Sequence, residues 1–173
     1  MITKPEPRPT NDRPVRPRVA VALAAGVLII SAFEVTLTLG APFGAAAMGG
    51  MYPGKLPDGV RLVTGFAALV WLFAALLVLA RGGRALVPLP GAVVRVGVWV
   101  LVGLLGLGGL LNFASSSAWE RFGWGPFTVA LFLLSVVLAR SALPAEPAAR
   151  GGGVVRTTST TDGGAAPSPV HED

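Results

Sequence analysis

Arg61-LVTGFAALVWLFAALLVLA-Arg81 decides the fold: from Leu62 to Ala80 there is no charged side chain, and an arginine closes each end. At about 1.5 Å per residue, roughly 19 helical residues match a bilayer core of about 30 Å. The stretch therefore predicts a transmembrane helix. Three more stretches of the same kind flank it. The first runs over residues 19–40, apolar from Val19 to Phe33 and then interrupted by Glu34. The third covers residues 96–114, and the fourth covers 124–139 and stops at Arg140. The fourth is short, which predicts that its outer end lies in the membrane interface.

Composition agrees with this pattern. Of 173 residues, 13% are charged and 53% apolar, against about 25% and 45–50% in soluble domains. Arg outnumbers Lys, and Ala, Gly, Val and Pro abound, as in proteins of high-GC bacteria. The net charge of +5 reflects basic residues flanking spans. No aromatic-and-basic surface is laid out for nucleic acid. The chain has no cysteine and a single histidine, His171, in a polar tail. Disulfides, thiolate metal sites and thiol–quinone chemistry are excluded, as is a haem held by paired histidines. No catalytic motif, metal site or cofactor site is read from the chain.

Basic residues also set the orientation. Lys4, Arg8, Arg13, Arg16 and Arg18 precede the first span. Arg81, Arg84 and Arg95 lie around the middle connection, and Arg140, Arg150 and Arg156 follow the last span. These are eleven of the fourteen; only Lys55, Arg61 and Arg121 fall on the other side. The positive-inside rule then places both tails and the middle loop in the cytoplasm of a bacterial plasma membrane. Tyr52, Trp119, Phe122 and Trp124 fall in the outer interface, where amphipathic rings belong. A basic leader before an apolar run also fits a cleaved signal peptide. The helical register continues past Glu34 without a small-x-small cleavage site, which favours a retained span.

The tails read as unstructured. Residues 1–18 hold their basic residues among prolines, giving an extended tail able to touch anionic lipid headgroups. From Ser141 onward Ala, Pro, Gly, Ser and Thr dominate, too little apolar surface for folding. The domain plan is thus a tail over 1–18, a four-helix membrane domain over 19–140, and a disordered tail over 141–173.

Small residues suggest how the helices meet. Gly103, Gly106 and Gly109 recur at i, i+3, i+6 in the third span, and Ala22 and Gly26 form a small-xxx-small pair in the first. In lipid, small residues let helix backbones approach closely. The spacing predicts that these helices pack together, within a monomer or between subunits of a homo-oligomer.

Glu34 is the one acid within a span. A charge at depth is costly and marks a functional hypothesis. Ser31, Glu34 and Thr38 share a helical face, and Glu34 sits about six residues, or roughly 9 Å, below the outer end of its helix. Arg61 with Thr64, Asn112 with Ser115, Ser116 and Ser117, and Glu120, Arg121 and Thr128 lie at the same outer level. The inner halves hold little that is polar besides Ser135. The candidate polar pocket is therefore Glu34, Thr38, Arg61, Asn112, Ser115, Ser117, Glu120 and Arg121. Arg61 or Arg121 is the expected counter-ion of Glu34.

Gly40-Ala41-Pro42-Phe43-Gly44, Gly49-Gly50 and Gly54-Lys55-Leu56-Pro57, with Asn112, Ser115, Ser117, Glu120-Arg121 and Gly125-Pro126, together resemble a family of small, uncharacterised four-span bacterial integral membrane proteins. The resemblance covers about residues 19–140, and members commonly carry Trp where this chain has Phe43. It implies the same topology, marks both outer loops, and supplies no reaction.

The leading expectation is a non-enzymatic multi-pass protein whose outward-facing polar pocket binds a lipid, a small ligand or a membrane partner protein. The alternative is a small ion- or proton-coupled transporter using Glu34. An acid in the first of four short spans is similar to the arrangement of small multidrug-resistance exporters, although those have very short loops and residues 41–60 make a long one. A membrane enzyme would have only Glu34 with Glu120 as an acid/base pair on the outer side.

Overall fold

Proline fits the first turn of a helix, where its missing N–H is not needed. Pro17 accordingly starts α1 (Pro17–Thr38), the first of four long helices in a computed structural model that describes residues 14–143. Next come α2 (Asp58–Arg81), α3 (Gly91–Ala114) and α4 (Gly125–Ala139), the last preceded by a π-helical turn over Glu120–Trp124. No strand occurs among the described residues. With the π turn, the fourth span reaches 20 residues, Glu120–Ala139, so it is not short. All four are long and apolar enough to cross a bilayer, as a multi-pass membrane protein requires.

The helices differ from the expected bounds at their ends. α1 stops at Thr38 instead of residue 40, so Glu34 lies four residues from its end, about 6 Å at the helical rise. α2 starts at Asp58 and takes in both flanking arginines; α3 starts at Gly91 and takes in Arg95.

The bundle is apolar both on its surface and in its core. Leu62, Phe66, Leu69, Trp99, Val100, Leu110 and Leu111 are exposed, a lipid-facing surface. Ala20, Leu23, Ala24, Val27, Ala74, Ala75, Val78, Leu101, Leu105, Leu131 and Leu138 form the common core. α1 packs on α2 and α4, and α3 packs on α4 and α2. A Cβ on Gly26 would run into Leu131 of α4, and one on Gly106 would stand 3.2 Å from the Phe132 ring. A Cβ on Gly109 would lie 3.2 Å from Val129. The small residues of α1 and α3 therefore receive α4 side chains and do not meet each other. Ala22 is exposed and Gly103 faces open space, so neither serves helix packing within the chain.

Two connections share one end of the bundle: residues 39–57 between α1 and α2, and residues 115–119 before the π turn. This loop end carries the candidate site. At the opposite, tail end, the buried Arg81 donates to the carbonyls of Ala139 (2.8 Å) and Ser141 (2.5 Å). Helix ends leave carbonyls unpaired, and this guanidinium closes α4. Residues 1–13 and 144–173, most of both tails, lie outside the described residues.

Candidate functional site

Helix α1 brings Glu34 to the bundle interior near the loop end, a turn below the Thr38 terminus. Its Oε2 is shielded from solvent and has no hydrogen-bond partner among the described residues. Neither expected cation reaches it. Arg61 pairs with Asp58 at 2.9 Å and donates from Nε to the Thr38 carbonyl at 2.9 Å. Arg121 donates to the Ser115 carbonyl at 3.1 and 2.6 Å. Both arginines satisfy backbone carbonyls that helix and loop ends leave open.

Glu34 faces a chamber of about 230 Å³. Its polar lining is Glu34, Asn112, Glu120 and Thr128; its aromatic lining is Phe33, Trp71 and Trp124. Asn112 Nδ2 donates to Thr128 Oγ1 at 3.2 Å, joining α3 to α4 along one wall. The π turn matters here. It widens the helix by one residue per turn, a distortion frequent at functional sites, and its two ends, Glu120 and Trp124, both enter the chamber. The Trp124 ring packs against Phe33, tilted by 51° with centroids 4.8 Å apart, and edge-on against Phe127 at 5.8 Å.

The first loop forms part of the chamber wall. Ala46, Ala47 and Met48 line it from above. Gly44 accepts no side chain, because a Cβ there would run into the Tyr52 carbonyl and lie 2.7 Å from that of Gly54. Its N–H donates to the Gly54 carbonyl at 2.9 Å, closing the loop on itself. Met48, Gly49 and Gly50 are all left-handed, with φ of 53°, 71° and 74°. For Met48 that conformation costs about 1–2 kcal/mol. Contacts with the second loop hold it there. The Gly49 N–H donates to Glu120 Oε1 at 2.8 Å, and Ser116 Oγ donates to the Gly49 carbonyl at 2.9 Å. Ser117 Oγ donates to the Ala45 carbonyl at 2.7 Å.

Of the eight pocket residues expected from sequence, Glu34, Asn112 and Glu120 share the chamber. The other five do not line it. Thr38 bonds Thr64 at 2.9 Å between α1 and α2, beside the Arg61 contact. Ser115 accepts from the Ser117 N–H at 3.0 Å, Ser117 fastens the first loop, and Arg121 holds the Ser115 carbonyl. These five build the frame of the loop end.

No protein-family model matches the chain, and neither a curated protein nor a solved structure does.

A second depression adjoins the chamber, about 660 Å³ and lined by Ile29, Phe33, Pro42, Phe43, Ala45, Ala46, Trp119, Gly123, Trp124 and Phe127. Phe33, Ala46 and Trp124 belong to both. Ile29, Phe43 and Trp119 are more than half exposed, so this groove opens on the outer face of the bundle. Sequence reasoning missed its apolar walls, and it missed Trp71. A tryptophan midway along a span, away from the interfaces where the residue concentrates, was the available signal.

Proposed function

We propose that this chain is a non-enzymatic multi-pass protein of the bacterial plasma membrane that binds a lipid-like amphiphile, with the polar end in the chamber and the apolar tail in the groove. The observation that carries this reading is the adjacency of the two cavities, which share Phe33, Ala46 and Trp124 in their walls. A recess lined by the carboxyl groups of Glu34 and Glu120 lies directly beside an aromatic groove on the lipid-facing surface, with Phe33 and Trp124 between them. Along α1 the groove reaches from the first loop down to Ile29, nine residues before Thr38, which is about 14 Å of helix. Half a bilayer core is about 15 Å, so the groove suits a chain from one leaflet. The distribution of basic residues makes that the outer leaflet, with both tails cytoplasmic. The resemblance of the two loops to four-span bacterial membrane proteins supports the same topology.

The test is to purify the full chain in mild detergent and identify bound lipid by native mass spectrometry. One or more lipids should remain on the wild type and be lost from Ile29→Trp, which fills the groove without touching the chamber. Retention of the same lipid by Ile29→Trp would overturn the reading. The second reading, a proton-coupled transporter, draws on the unpartnered Glu34. Against it, no polar path continues toward the tail end among the described residues: buried Ser135 bonds its own helix at the Phe132 carbonyl. Substrate-dependent proton flux in sealed vesicles would favour that reading instead.

A further inference from the structure

We infer that the headgroup taken by the chamber is an ammonium, so that the occupant is a phospholipid bearing a primary amine. This rests on the amphiphile reading and deepens it. Two carboxyl groups, Glu34 and Glu120, line the chamber, and no lysine or arginine does. The two arginines of the loop end, Arg61 and Arg121, are held by Asp58, the Thr38 carbonyl and the Ser115 carbonyl. A phosphate placed here would meet two acids and no cation. An ammonium would find what a cation requires. Carboxyl oxygens accept charge-assisted hydrogen bonds, and the Glu34 carboxyl lines the chamber with no cation paired to it among the described residues. The Thr128 hydroxyl adds a further acceptor. Aromatic faces attract cations, and Phe33, Trp71 and Trp124 are three of the chamber's walls.

Size narrows the class. Sites for drug-sized ligands occupy about 300–1,000 Å³, whereas this chamber measures about 230 Å³. It admits a headgroup and not a whole amphiphile. With the ammonium in the chamber, the acyl chain would lie in the adjoining groove on the other side of Phe33 and Trp124. A free amine would leave that groove empty, so a lipid is the occupant the two cavities fit together.

The experiment compares lipids with identical acyl chains on the full wild-type chain in detergent: phosphatidylethanolamine, its N-acetylated form, and phosphatidylglycerol. Native mass spectrometry or thermal shift reads the apparent Kd. Phosphatidylethanolamine should bind about tenfold or more tightly than either of the others, as expected for one charge-assisted hydrogen bond. Glu34→Gln should bring the three lipids within about threefold of one another. Equal binding of all three lipids to wild type would overturn the ammonium inference while leaving the amphiphile reading intact. No binding of any lipid, with Ile29→Trp indistinguishable from wild type, would sink the amphiphile reading itself. Competition by free ethanolamine at the same concentration as the lipid would show a soluble amine to be the occupant and overturn the lipid assignment. The wild-type comparison stands even if the variant folds poorly.

Discussion

The Gly49 N–H donates to Oε1 of Glu120 at 2.8 Å, joining residues 71 positions apart and tying the first loop to the π turn. Both ends of this bond matter. Gly49 is left-handed, which glycine adopts at no steric cost, and Glu120 is buried at the lip of the chamber. Glu120→Ala removes the acceptor and leaves the amide unpaired, costing about 1–3 kcal/mol. Hydrogen exchange over residues 44–52 should speed up markedly, while exchange in α2 and α3 stays as in wild type. Glu120→Gln keeps an oxygen acceptor and should restore most of the protection. Unchanged exchange in Glu120→Ala would mean the serine contacts alone hold the loop.

Three glycines separate helix packing from lipid exposure. Gly26→Leu and Gly106→Leu drive a side chain against Leu131 and the Phe132 ring, whereas Gly103→Leu projects into open space. Overpacking of this kind costs about 1–3 kcal/mol. Thermal unfolding in detergent should show both buried variants melting lower and Gly103→Leu melting as wild type. A drop for Gly103→Leu would point to a subunit contact on that face.

These outcomes mark what a sequence can hold. The four spans were legible because length and lack of charge are local properties, as in the run from Leu62 to Ala80. Facing was not. Small residues suit a helix contact and a lipid-facing surface equally, and an i, i+3, i+6 series drifts about 120° around a helix over its two steps. Gly103 and Gly109 therefore cannot share one narrow contact. The polar residues of the loop end were found by composition, but their division was hidden. Ser117 and Arg121 bond backbone carbonyls of Ala45 and Ser115, and a backbone partner leaves no trace in residue identity. Glu34, Asn112 and Glu120 converge only through the π turn and the folded loop, which are non-local. The groove escaped for a related reason: its apolar residues look like any others in a span.

Arg81 looks in sequence like one more basic flank, yet its side chain is buried and holds the end of α4 through Leu138, Ala139 and Ser141. A cation at a helix C-terminus is favoured by the helix dipole, and its planar fork reaches several carbonyls together. Arg81→Met should lower stability by about 2 kcal/mol or more, read as a fall in melting temperature. Arg81→Lys should recover only part of the loss, since an ammonium cannot span the same acceptors. Full recovery with Lys would show that charge alone matters there.

Orientation is testable because the chain has no native cysteine. Single cysteines at Lys55 and Ser116 sit on the two loops of the chamber end. With that end outside, both should react with a membrane-impermeant thiol reagent in intact cells. Cysteines at Arg84, exposed on the middle connection, and at Ser159 should react only after lysis. Labelling at position 84 from outside would reverse the assigned orientation and place the chamber in the cytoplasmic leaflet.

Glu34→Gln distinguishes a structural acid from a ligand-binding one. A structural ion pair would make the substitution costly, because it would strand a buried cation. No such cation faces Glu34: Arg61 and Arg121 are bonded elsewhere, and Oε2 has no partner. Replacing an uncompensated carboxyl by a neutral amide of the same shape removes a burial penalty and creates no new unpaired charge. In lipid-free detergent the variant should therefore melt within about 0.5 kcal/mol of wild type, as substitutions outside packed or paired features do. The effect should appear only when ligand is added. Lipids that raise the wild-type melting temperature should raise that of the variant much less, since a ligand stabilises in proportion to its occupancy of the folded state. A large loss of stability without ligand would show that Glu34 holds the bundle together and would remove it from the site.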